Sequence, residues 1–580
     1  MLQIINLKDK LKFAIEYNLK GKFMNSERIS YIKFKEIALP TIVILLAINI
    51  GAMFNAFFVS IFIGESALAA VELFEPIVLV ITIFETLFGV GGKILTLNRK
   101  AAYDKQGSNY YFTVSILSTV IISSLFAVLF ILGKNYVISA LYPPADVLPY
   151  VEQYATLLFL SIPLASILGV VCEFVQIDGY EKLSAYLMII ANVVILILDY
   201  LFLAVMHTDI SGAALATLIG YGVGLIGYLK YHFDSKRTLH YTYSKKLSKA
   251  VKTSAEIVKI GFPNASAYIF EIIIVYMFNT ILVFYLGNLG LVAFNICSFE
   301  FLIINIIPLG LIHGLGTVVP AYYPQHDYKN VDYLIRKTIY ISMLSVIIFI
   351  VLIWTVPNLF LTVYGLNTSP DAPAIIHYMQ LFTVTYIPEV LAIFAVTYYQ
   401  AIKKTRLSLI LSVLWMLVGP ILALVLLFPF IGVNSIWIAY GFANFLVIIF
   451  TLCYIKINER KNPGYAGILF FEKDLIPITE NFNLYSKNDK KDIDNYLKDL
   501  NVCETCFSDV ESLINYIFDK NTQTIVEILA IDYDEYINLN IKFLGEYEKL
   551  DNFKKEVSNP EVLQYSETLG INNLEYRINK

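Results

Sequence analysis

Residues 110–133 read YYFTVSILSTVIISSLFAVLFILG and contain no charged side chain. A helix of this length rises about 36 Å, because each residue adds roughly 1.5 Å, and the hydrocarbon core of a bilayer is about 30 Å thick. The serines and threonines do not oppose this reading, since their hydroxyls can bond to the carbonyl one turn back. The stretch is therefore long enough to cross a membrane as one helix.

Eleven further apolar runs lie between residues 36 and 456. The whole chain is 57 % hydrophobic and only 16 % charged, with a mean hydropathy of +0.66, whereas an ordinary soluble chain carries about a quarter charged residues. We predict an all-α polytopic protein of the lipid bilayer with twelve transmembrane helices, and the net charge of −4 gives no reason to expect a nucleic-acid partner. The twelve predicted spans are 37–63, 70–97, 110–133, 149–176, 183–206, 210–230, 256–286, 290–319, 332–358, 374–400, 406–428 and 433–455.

The direction of the spans follows from the basic residues of the loops. Lys and Arg are concentrated in alternate connections, with Lys134 as the clear exception. Cytoplasmic loops retain such residues, so we predict a multi-pass protein of the plasma membrane with both termini in the cytoplasm. The basic connections contain Arg99, Lys100 and Lys105; Lys230, Lys236, Arg237, Lys245, Lys246 and Lys249; Lys329, Arg336 and Lys337; and Lys403, Lys404 and Arg406.

The spans and the charge pattern divide the chain into five predicted parts. Residues 1–35 form a basic cytoplasmic segment, 36–232 an N-lobe of six spans, 233–255 a cytoplasmic linker, 256–456 a C-lobe of six spans, and 457–580 a polar cytoplasmic domain. The first segment lacks an apolar core, so we predict no cleavable signal peptide. The five cysteines give no disulfide framework, and the lone CxxC of Cys503 and Cys506 is interpreted as coincidental.

The two lobes are predicted to be copies of one another. Shifting the sequence by 223 positions aligns prolines, glycines and one Asp without a gap, and other residues replace their backbone roles poorly. Each copy has an even number of spans, so both enter the bilayer in the same direction, with a cavity between lobes that rock to give alternating access. The aligned pairs are Pro40 and Pro263, Gly64 and Gly287, Ala70 and Ala293, Gly91 and Gly314, and Asp104 and Asp327.

Short motifs in both halves resemble those of a known family. The first half contains Ala38-Leu39-Pro40, Ile61-Phe62-Ile63-Gly64, Ala67-Leu68-Ala69-Ala70, Glu75-Pro76 and Phe88-Gly89-Val90-Gly91-Gly92. The second half contains Gly261-Phe262-Pro263 and Gly314-Leu315-Gly316. The sixth span, in the first half, opens with Gly212-Ala213-Ala214-Leu215-Ala216-Thr217. In their order and spacing these motifs resemble the multidrug and toxic compound extrusion (MATE) family over residues 36–456. The resemblance implies cation-coupled export.

Acidic residues inside the predicted spans are the main chemical signal. Each carboxylate at the centre of a helix costs roughly 2.5–3.5 kcal/mol, and a buried carboxyl that titrates can exchange H⁺ or Na⁺ for a substrate. Glu173 is interpreted as structural or water-contacting, and His313, close to a predicted helix end, as loop-facing. The cavity or secondary candidates are Glu75, Glu85, Glu300 and Glu389.

The family resemblance ranks two acids highest. Asp199 matches the helix 5 Asp that serves cation coupling in one branch, and Glu271, eight residues after Pro263, matches the helix 7 Glu of another. The chain departs from the family at Val59, where helix 1 usually has an Asp, and at Ile195, where helix 5 usually has an Asn. The coupling ion therefore stays open between H⁺ and Na⁺, with Na⁺ at Asp199 as one alternative. No other metal and no cofactor is expected.

The polar tail is predicted to form a small α/β or α+β domain with strands at 525–531 and 537–543 and a helix at 508–519. Glu511-Ser512-Leu513-Ile514-Asn515 and Leu569-Gly570-Ile571-Asn572-Asn573 weakly resemble two segments of anti-sigma-factor-like ATP-binding domains, which implies nucleotide binding. Phe543, however, stands where the Asp of the adenine-binding box is expected before Gly545. We favour a structural or regulatory module with a regulatory partner.

These features predict a secondary active transporter and no enzyme. It would export small amphipathic or cationic compounds in exchange for H⁺ or Na⁺ by alternating access between two lobes. One alternative is a lipid-linked saccharide flippase of the same superfamily, whose cavity usually favours basic residues. The other is a membrane sensor that signals through the polar tail.

Overall fold

The computed structural model describes residues 28–141, 143, 145–243, 246–363, 370–461, 464–484, 489, 491–500, 502–520, 524–533, 535–544 and 550–579. Most of the predicted basic N-terminal segment lies outside these ranges. Within them, eleven continuous helical stretches are long and apolar enough to cross a membrane. The last, Thr405–Lys461, is interrupted at Gly432, whose φ of 58° breaks the helix into two segments of spanning length. The twelve predicted spans are thus confirmed.

The N-lobe is built from nine described helices. They are α1 Ile29–Phe62, α2 Glu65–Leu73, α3 Glu75–Phe84, α4 Gly91–Ala101, α5 Lys105–Leu132, α6 Lys134–Ala140, α7 Leu148–Ile177, α8 Glu181–Asp199 and α9 Ser211–His232. A π-helical stretch, Glu85–Val90, joins α3 to α4, and a second, Tyr200–Val205, extends α8.

The C-lobe repeats this arrangement. Its described helices are α10 Leu247–Leu286, α11 Asn288–Tyr322, α12 Tyr328–Thr355, α13 Pro357–Val363, α14 Ala372–Phe382, α15 Tyr386–Ala401, α16 Thr405–Val413, α17 Gly419–Ile431 and α18 Ser435–Lys461. A π-helical stretch, Leu414–Val418, joins α16 to α17, and 3₁₀ turns lie at Tyr323–Gln325, Thr383–Thr385 and Gly432–Asn434.

Several helices begin away from the predicted positions. α1 starts at Ile29 and α10 at Leu247, because polar turns extend both helices beyond the apolar part that hydropathy detects. The second span starts at Pro76 rather than at residue 70, because Pro76 favours the first turn of a new helix. Residues 65–73 form the separate helix α2.

The internal repeat is visible where the lobes touch. A Cβ atom on Gly91 of α4 would lie 2.4 Å from the Ile257 carbonyl oxygen and 2.9 Å from the Gly261 nitrogen of α10. A Cβ atom on Gly314 of α11 would lie 2.9 Å from the Cβ atom of Ala38 of α1. Gly91 and Gly314 are related by the 223-residue shift, and so are Ala38 and Gly261. The lobes therefore meet along two equivalent seams at which small residues allow close approach.

The polar tail folds into an α+β domain, as predicted. A five-stranded antiparallel sheet has the order β3-β4-β5-β7-β6. Its strands are β3 Thr479–Leu484, β4 Val526–Asp532, β5 Tyr536–Phe543, β6 Leu563–Thr568 and β7 Ile571–Asn579, and the short strands β1 Tyr465–Ala466 and β2 Phe471–Glu472 precede it. Helices α19 Lys491–Asp499, α20 Glu504–Lys520 and α21 Leu550–Phe553 accompany the sheet, with 3₁₀ turns at Lys554–Glu556 and Pro560–Val562.

The predicted features of the tail have different outcomes. The two predicted strands correspond to β4 and β5, and the predicted helix to α20. Cys503 and Cys506 are paired as a disulfide next to the first turn of α20, which the interpretation of the CxxC as coincidental did not expect. Residues Leu569 to Asn573, compared above with a nucleotide-binding segment, form the hairpin between β6 and β7. Gly545 lies outside the described residues.

Candidate functional site

A cavity of about 480 Å³ lies between the two lobes. Polar side chains from eight helices and from two of the π-helical stretches line it, and the principal ones are the following. The N-lobe contributes Thr41, Glu85, Lys93, Glu173 and Gln176, and the C-lobe contributes Asn264, Tyr268, Glu271, His313, Glu389, Gln400 and Trp415. Apolar residues, among them Ile44, Met188, Phe301 and Met416, complete the wall. Such a mixture of apolar surface and a few converging polar groups is typical of a small-molecule site.

Lys93 joins the two lobes across this cavity. It is only 1 % exposed and forms an ion pair with Glu173 of α7. Its Nζ atom also lies 3.1 Å from Thr317 Oγ1 and 3.3 Å from His313 Nε2, both on α11 of the C-lobe. His313 Nε2 in turn lies 2.9 Å from Glu173 Oε1. Two buried N-lobe charges and a partly exposed C-lobe imidazole therefore form one network on the cavity wall.

One sequence interpretation is wrong here, and one residue of the site was missed. His313 lies well inside α11 and faces the cavity, so the expectation of a loop-facing residue is wrong, because the helix continues to Tyr322. Lys93 was not among the candidate residues. The signal that would have revealed it is a lone Lys within the apolar run after Gly91 and Gly92, since an intramembrane charge requires a partner.

Glu85 lies on the N-lobe wall of the cavity. It begins the π-helical stretch Glu85–Val90, and Gly169 of α7 leaves room for it, since a Cβ atom there would lie 2.7 Å from the Glu85 carboxyl carbon. The stretch Leu414–Val418 likewise places Trp415 against the cavity. Single π-helical turns occur often at functional sites, because they redirect a side chain.

Glu271 and Glu389 lie on the C-lobe wall. Glu389 is 1 % exposed and accepts hydrogen bonds from Asn444 Nδ2 at 2.6 Å and from Trp415 Nε1 at 3.2 Å. The three predicted residues Glu85, Glu271 and Glu389 therefore share one cavity. Their roles in coupling stay predictions.

Asp199 lies outside the residues that line this cavity. It is fully buried in the N-lobe at the end of α8, and one carboxylate oxygen accepts a hydrogen bond from Asn55 Nδ2 of α1 at 2.8 Å. Ile195, where the family resemblance leads us to expect an Asn, has no amide, and the amide that contacts Asp199 belongs to Asn55 of α1. The π-helical stretch Tyr200–Val205 follows Asp199 directly.

The remaining acids are placed differently. Glu300 of α11 is 2 % exposed, lies outside the lining of the cavity, and has no hydrogen-bond partner for either carboxyl oxygen among the described residues. The side chain of Glu75 lies outside the described part of the structure. In the described ranges no group of three or more His, Cys, Asp and Glu side chains is arranged to hold a metal ion.

Comparison with known proteins gives consistent matches. The sequence model of the MatE family matches residues 40–201 and 267–425. The multidrug export protein MepA of Staphylococcus haemolyticus is 27 % identical over 287 residues, which cover 49 % of this chain and 62 % of that protein. MepA of Staphylococcus saprophyticus is 25 % identical over 314 residues, which cover 53 % and 66 %. The chain thus spans less than two thirds of the length of these relatives.

Solved structures share the fold. An outward-facing multidrug resistance MATE family transporter of the MOP superfamily has a TM-score of 0.67 at 17 % identity, covering 74 % of this chain and 96 % of that one. A MOP superfamily transporter from Pyrococcus furiosus has a TM-score of 0.68 at the same identity and coverage. At this identity the likeness establishes the fold alone. Because the family model matches one stretch in each lobe and more than half of the residues, the chain belongs to the MatE family of membrane transporters.

Proposed function

We propose that the chain exports small amphipathic or cationic compounds in exchange for H⁺ or Na⁺. The observation that supports this proposal is the acidic cavity between the lobes. Lys93 offsets Glu173, which leaves Glu85, Glu271 and Glu389 as further carboxyls on the walls. An excess of carboxyls attracts cations, and the aromatic faces of Tyr268 and Trp415 on the same cavity suit organic cations.

The lobes meet toward one end of the helices, which we call the basic end because the helix ends and turns there hold Arg99, Lys100, Lys329, Lys403 and Lys404. The Lys93 network is part of the cavity wall, and the two seams join the lobes beside it. We propose that the basic end is cytoplasmic. The structure then corresponds to an outward-facing state, and separation of the lobes at the basic end gives the inward-facing one.

Replacement of the two highest-ranked acids tests the coupling. In proteoliposomes loaded with ethidium, a planar organic cation, we expect an imposed pH or Na⁺ gradient to drive flux. Asp199→Asn together with Glu271→Gln should lower gradient-driven flux about tenfold or more, because the coupling free energy between ion and substrate is lost. The measurement is the initial rate with each gradient imposed separately.

An exposed acid provides the matched control. Glu152 lies in the first turns of α7 and is exposed, so Glu152→Gln should leave the flux unchanged. If the ethidium flux of the unaltered protein does not depend on either the pH or the Na⁺ gradient, ion exchange is contradicted. Unchanged gradient-driven flux in the double variant contradicts the assignment of Asp199 and Glu271.

A further inference from the structure

The polar face of the C-terminal sheet is buried. Alternate residues of β4, β5 and β7 pack with the domain's own helices, among them Ile528, Ile541 and Leu574. The opposite face carries polar residues, which water would usually cover. These residues are nevertheless almost fully buried, with Glu527 at 4 %, Asn540 at 4 %, Lys542 at 3 % and Asn573 at 2 % exposure. The face is covered by the basic end of the membrane helices.

One set of contacts joins the domain to the N-lobe. The backbone N–H of Ile29, at the start of α1, donates to Glu527 Oε1 at 2.6 Å. The Tyr103 hydroxyl, in the loop between α4 and α5, lies 3.2 Å from Asn540 Oδ1. The N–H of Leu569 donates to the carbonyl of Ile177, at the end of α7, at 3.3 Å.

A second set joins the same face to the C-lobe. Lys542 Nζ forms an ion pair with Asp327 Oδ2 at 2.6 Å, and both side chains are at most 3 % exposed. Lys542 also lies 4.1 Å from the ring centroid of Tyr322, and Asn481 Nδ2 donates to Asp327 Oδ1 at 3.0 Å. Asp104, the residue related to Asp327 by the repeat, caps α5 through the N–H of Gly107 at 2.8 Å.

Glu527 contacts both lobes with one carboxyl group. Its Oε1 atom accepts from Ile29 of the N-lobe, and its Oε2 atom lies 3.4 Å from Asn330 Nδ2 of the C-lobe. We propose that the C-terminal domain is a brace that holds the two lobes together at the basic end and must release at least one of them before the cavity opens there. This inference rests on the proposed alternating access.

The geometry of the sheet explains why release is necessary. Glu527 and Lys542 are direct partners across β4 and β5, so the contacts to the two lobes originate from adjacent positions of one hydrogen-bonded ladder. Such a ladder does not stretch when the lobes separate. Packed interfaces of this kind have discrete arrangements rather than continuous deformation. The brace therefore favours the closed basic end.

The charged groups at the interface predict that docking weakens as pH rises. Burial raises the pKa of Glu527 to about 7, with a further increase from Asp327 and a decrease from Lys542, the Ile29 N–H and Arg28. Burial also raises the pKa of Glu567 to about 7, although Lys100, Lys33 and Lys105 lower it, while Asp178 raises it further. In the docked form these two carboxyls therefore retain protons that they lose in the free domain above the ordinary Glu pKa of 4.5.

This difference in bound protons sets the direction and the pH range of the change in docking. Raising the pH from 5 to 7 should weaken docking by at most about tenfold per pH unit for each carboxyl, with a plateau above 7. Burial alone would raise the pKa of Asp327, but Lys542 and two amides hold it below its usual range, so Asp327 does not titrate in this window. Glu527→Gln with Glu567→Gln should flatten the profile, which the distance measurement below records from pH 5 to 8.

The brace is tested by measuring the distance between the lobes at the basic end of the full chain. Spin labels are placed at the exposed positions Lys105, on α5 of the N-lobe, and Arg336, on α12 of the C-lobe, after Cys453, Cys503 and Cys506 are replaced by Ser. Lys542→Met removes the buried ion pair to Asp327. We expect double electron–electron resonance to record at least a tenfold increase in the longer-distance population.

Two matched variants complete the test. Lys329→Met removes the exposed ion pair to Glu480 across the same interface, where both side chains are about half exposed, and should leave the distances unchanged. Tyr103→Phe removes only the N-lobe hydroxyl. It should increase the longer-distance population about threefold to fivefold, in the same direction as Lys542→Met.

The outcomes separate the brace from the proposed export. The brace is overturned if the distances are unchanged in both Lys542→Met and Tyr103→Phe while a thermal transition shows that both variants are folded. This conclusion does not depend on the ethidium flux. A shift equal in Lys329→Met and Lys542→Met also overturns the brace. The expected shift without gradient-driven ethidium flux supports the brace and contradicts the proposed export.

Discussion

Lys93→Met is expected to lower the free energy of unfolding by about 3–5 kcal/mol, because it leaves the carboxylate of Glu173 buried without its main partner. Lys93 is 1 % exposed and the Glu173 side chain 8 %, so water can reach the orphaned carboxylate only from the cavity and replaces the lost interaction poorly. His313, at 2.9 Å from Glu173, compensates in part and places the result toward the lower end of this range. The measurement is thermal and denaturant unfolding of the purified protein in detergent.

A double variant identifies the cause. Lys93→Met with Glu173→Gln removes both charges and should restore most of the stability, since replacing a buried ion pair by neutral residues is often nearly neutral. The control is Arg336→Met, which removes an exposed ion pair to Asp332 on α12 and should cost about 1 kcal/mol or less. Equal losses in the single and the double variant would contradict this account, because they would point to lost packing rather than to an orphaned charge.

Gly261→Ala is expected to open the basic end of the molecule. The new Cβ atom would lie 2.4 Å from the Leu87 carbonyl oxygen and 2.7 Å from the Leu87 Cα atom. These are backbone atoms of the other lobe and cannot rotate away. Overpacking of this kind costs about 1–3 kcal/mol, which displaces the ratio of closed to open states by roughly 5- to 150-fold. Spin labels at Lys105 and Arg336 record the change as a longer distance.

A glycine without close neighbours provides the control for this substitution. A Cβ atom on Gly222, within α9, meets no heavy atom within 4 Å, so Gly222→Ala should leave the distances unchanged and stabilise the helix by up to about 1 kcal/mol. Gly91→Ala, on the other side of the same seam, should reproduce the effect of Gly261→Ala. If both seam variants keep the short distance of the unaltered protein between the two spin labels, the lobes do not need this close approach.

The repeat carried more structural information than any single motif. Gly64 and Gly287 both end a span with positive φ, at 128° and 60°, and the pair Gly91 and Gly314 forms the two seams. The backbone roles of these glycines restrict substitution, so the glycines remain recognisable in both copies of the repeat. The same shift also relates Ala38 to Gly261, which the sequence comparison did not single out because Ala and Gly differ.

The candidate acids were only partly separable from the sequence. Glu85, Glu271 and Glu389 share the cavity, whereas Asp199 and Glu300 are buried within their own lobes. All five have similar apolar neighbours along the chain. Which of them faces the cavity depends on the rotation of each helix about its axis, and that rotation is set by packing against other helices rather than by local sequence.

The sequence by itself determined the twelve spans, the two related lobes, the acids inside them and the two strands β4 and β5 of the tail. Each of these depends on a local physical quantity: the apolar length that a bilayer requires, the cost of an intramembrane charge, or the alternation of a strand. Only the tertiary structure decided that Lys93 pairs with Glu173, that Asn55 serves Asp199, and that the polar face of the sheet is covered. These contacts join residues 80 to more than 200 positions apart, so no local pattern specifies them, and they exist only because the lobes and the domain pack together.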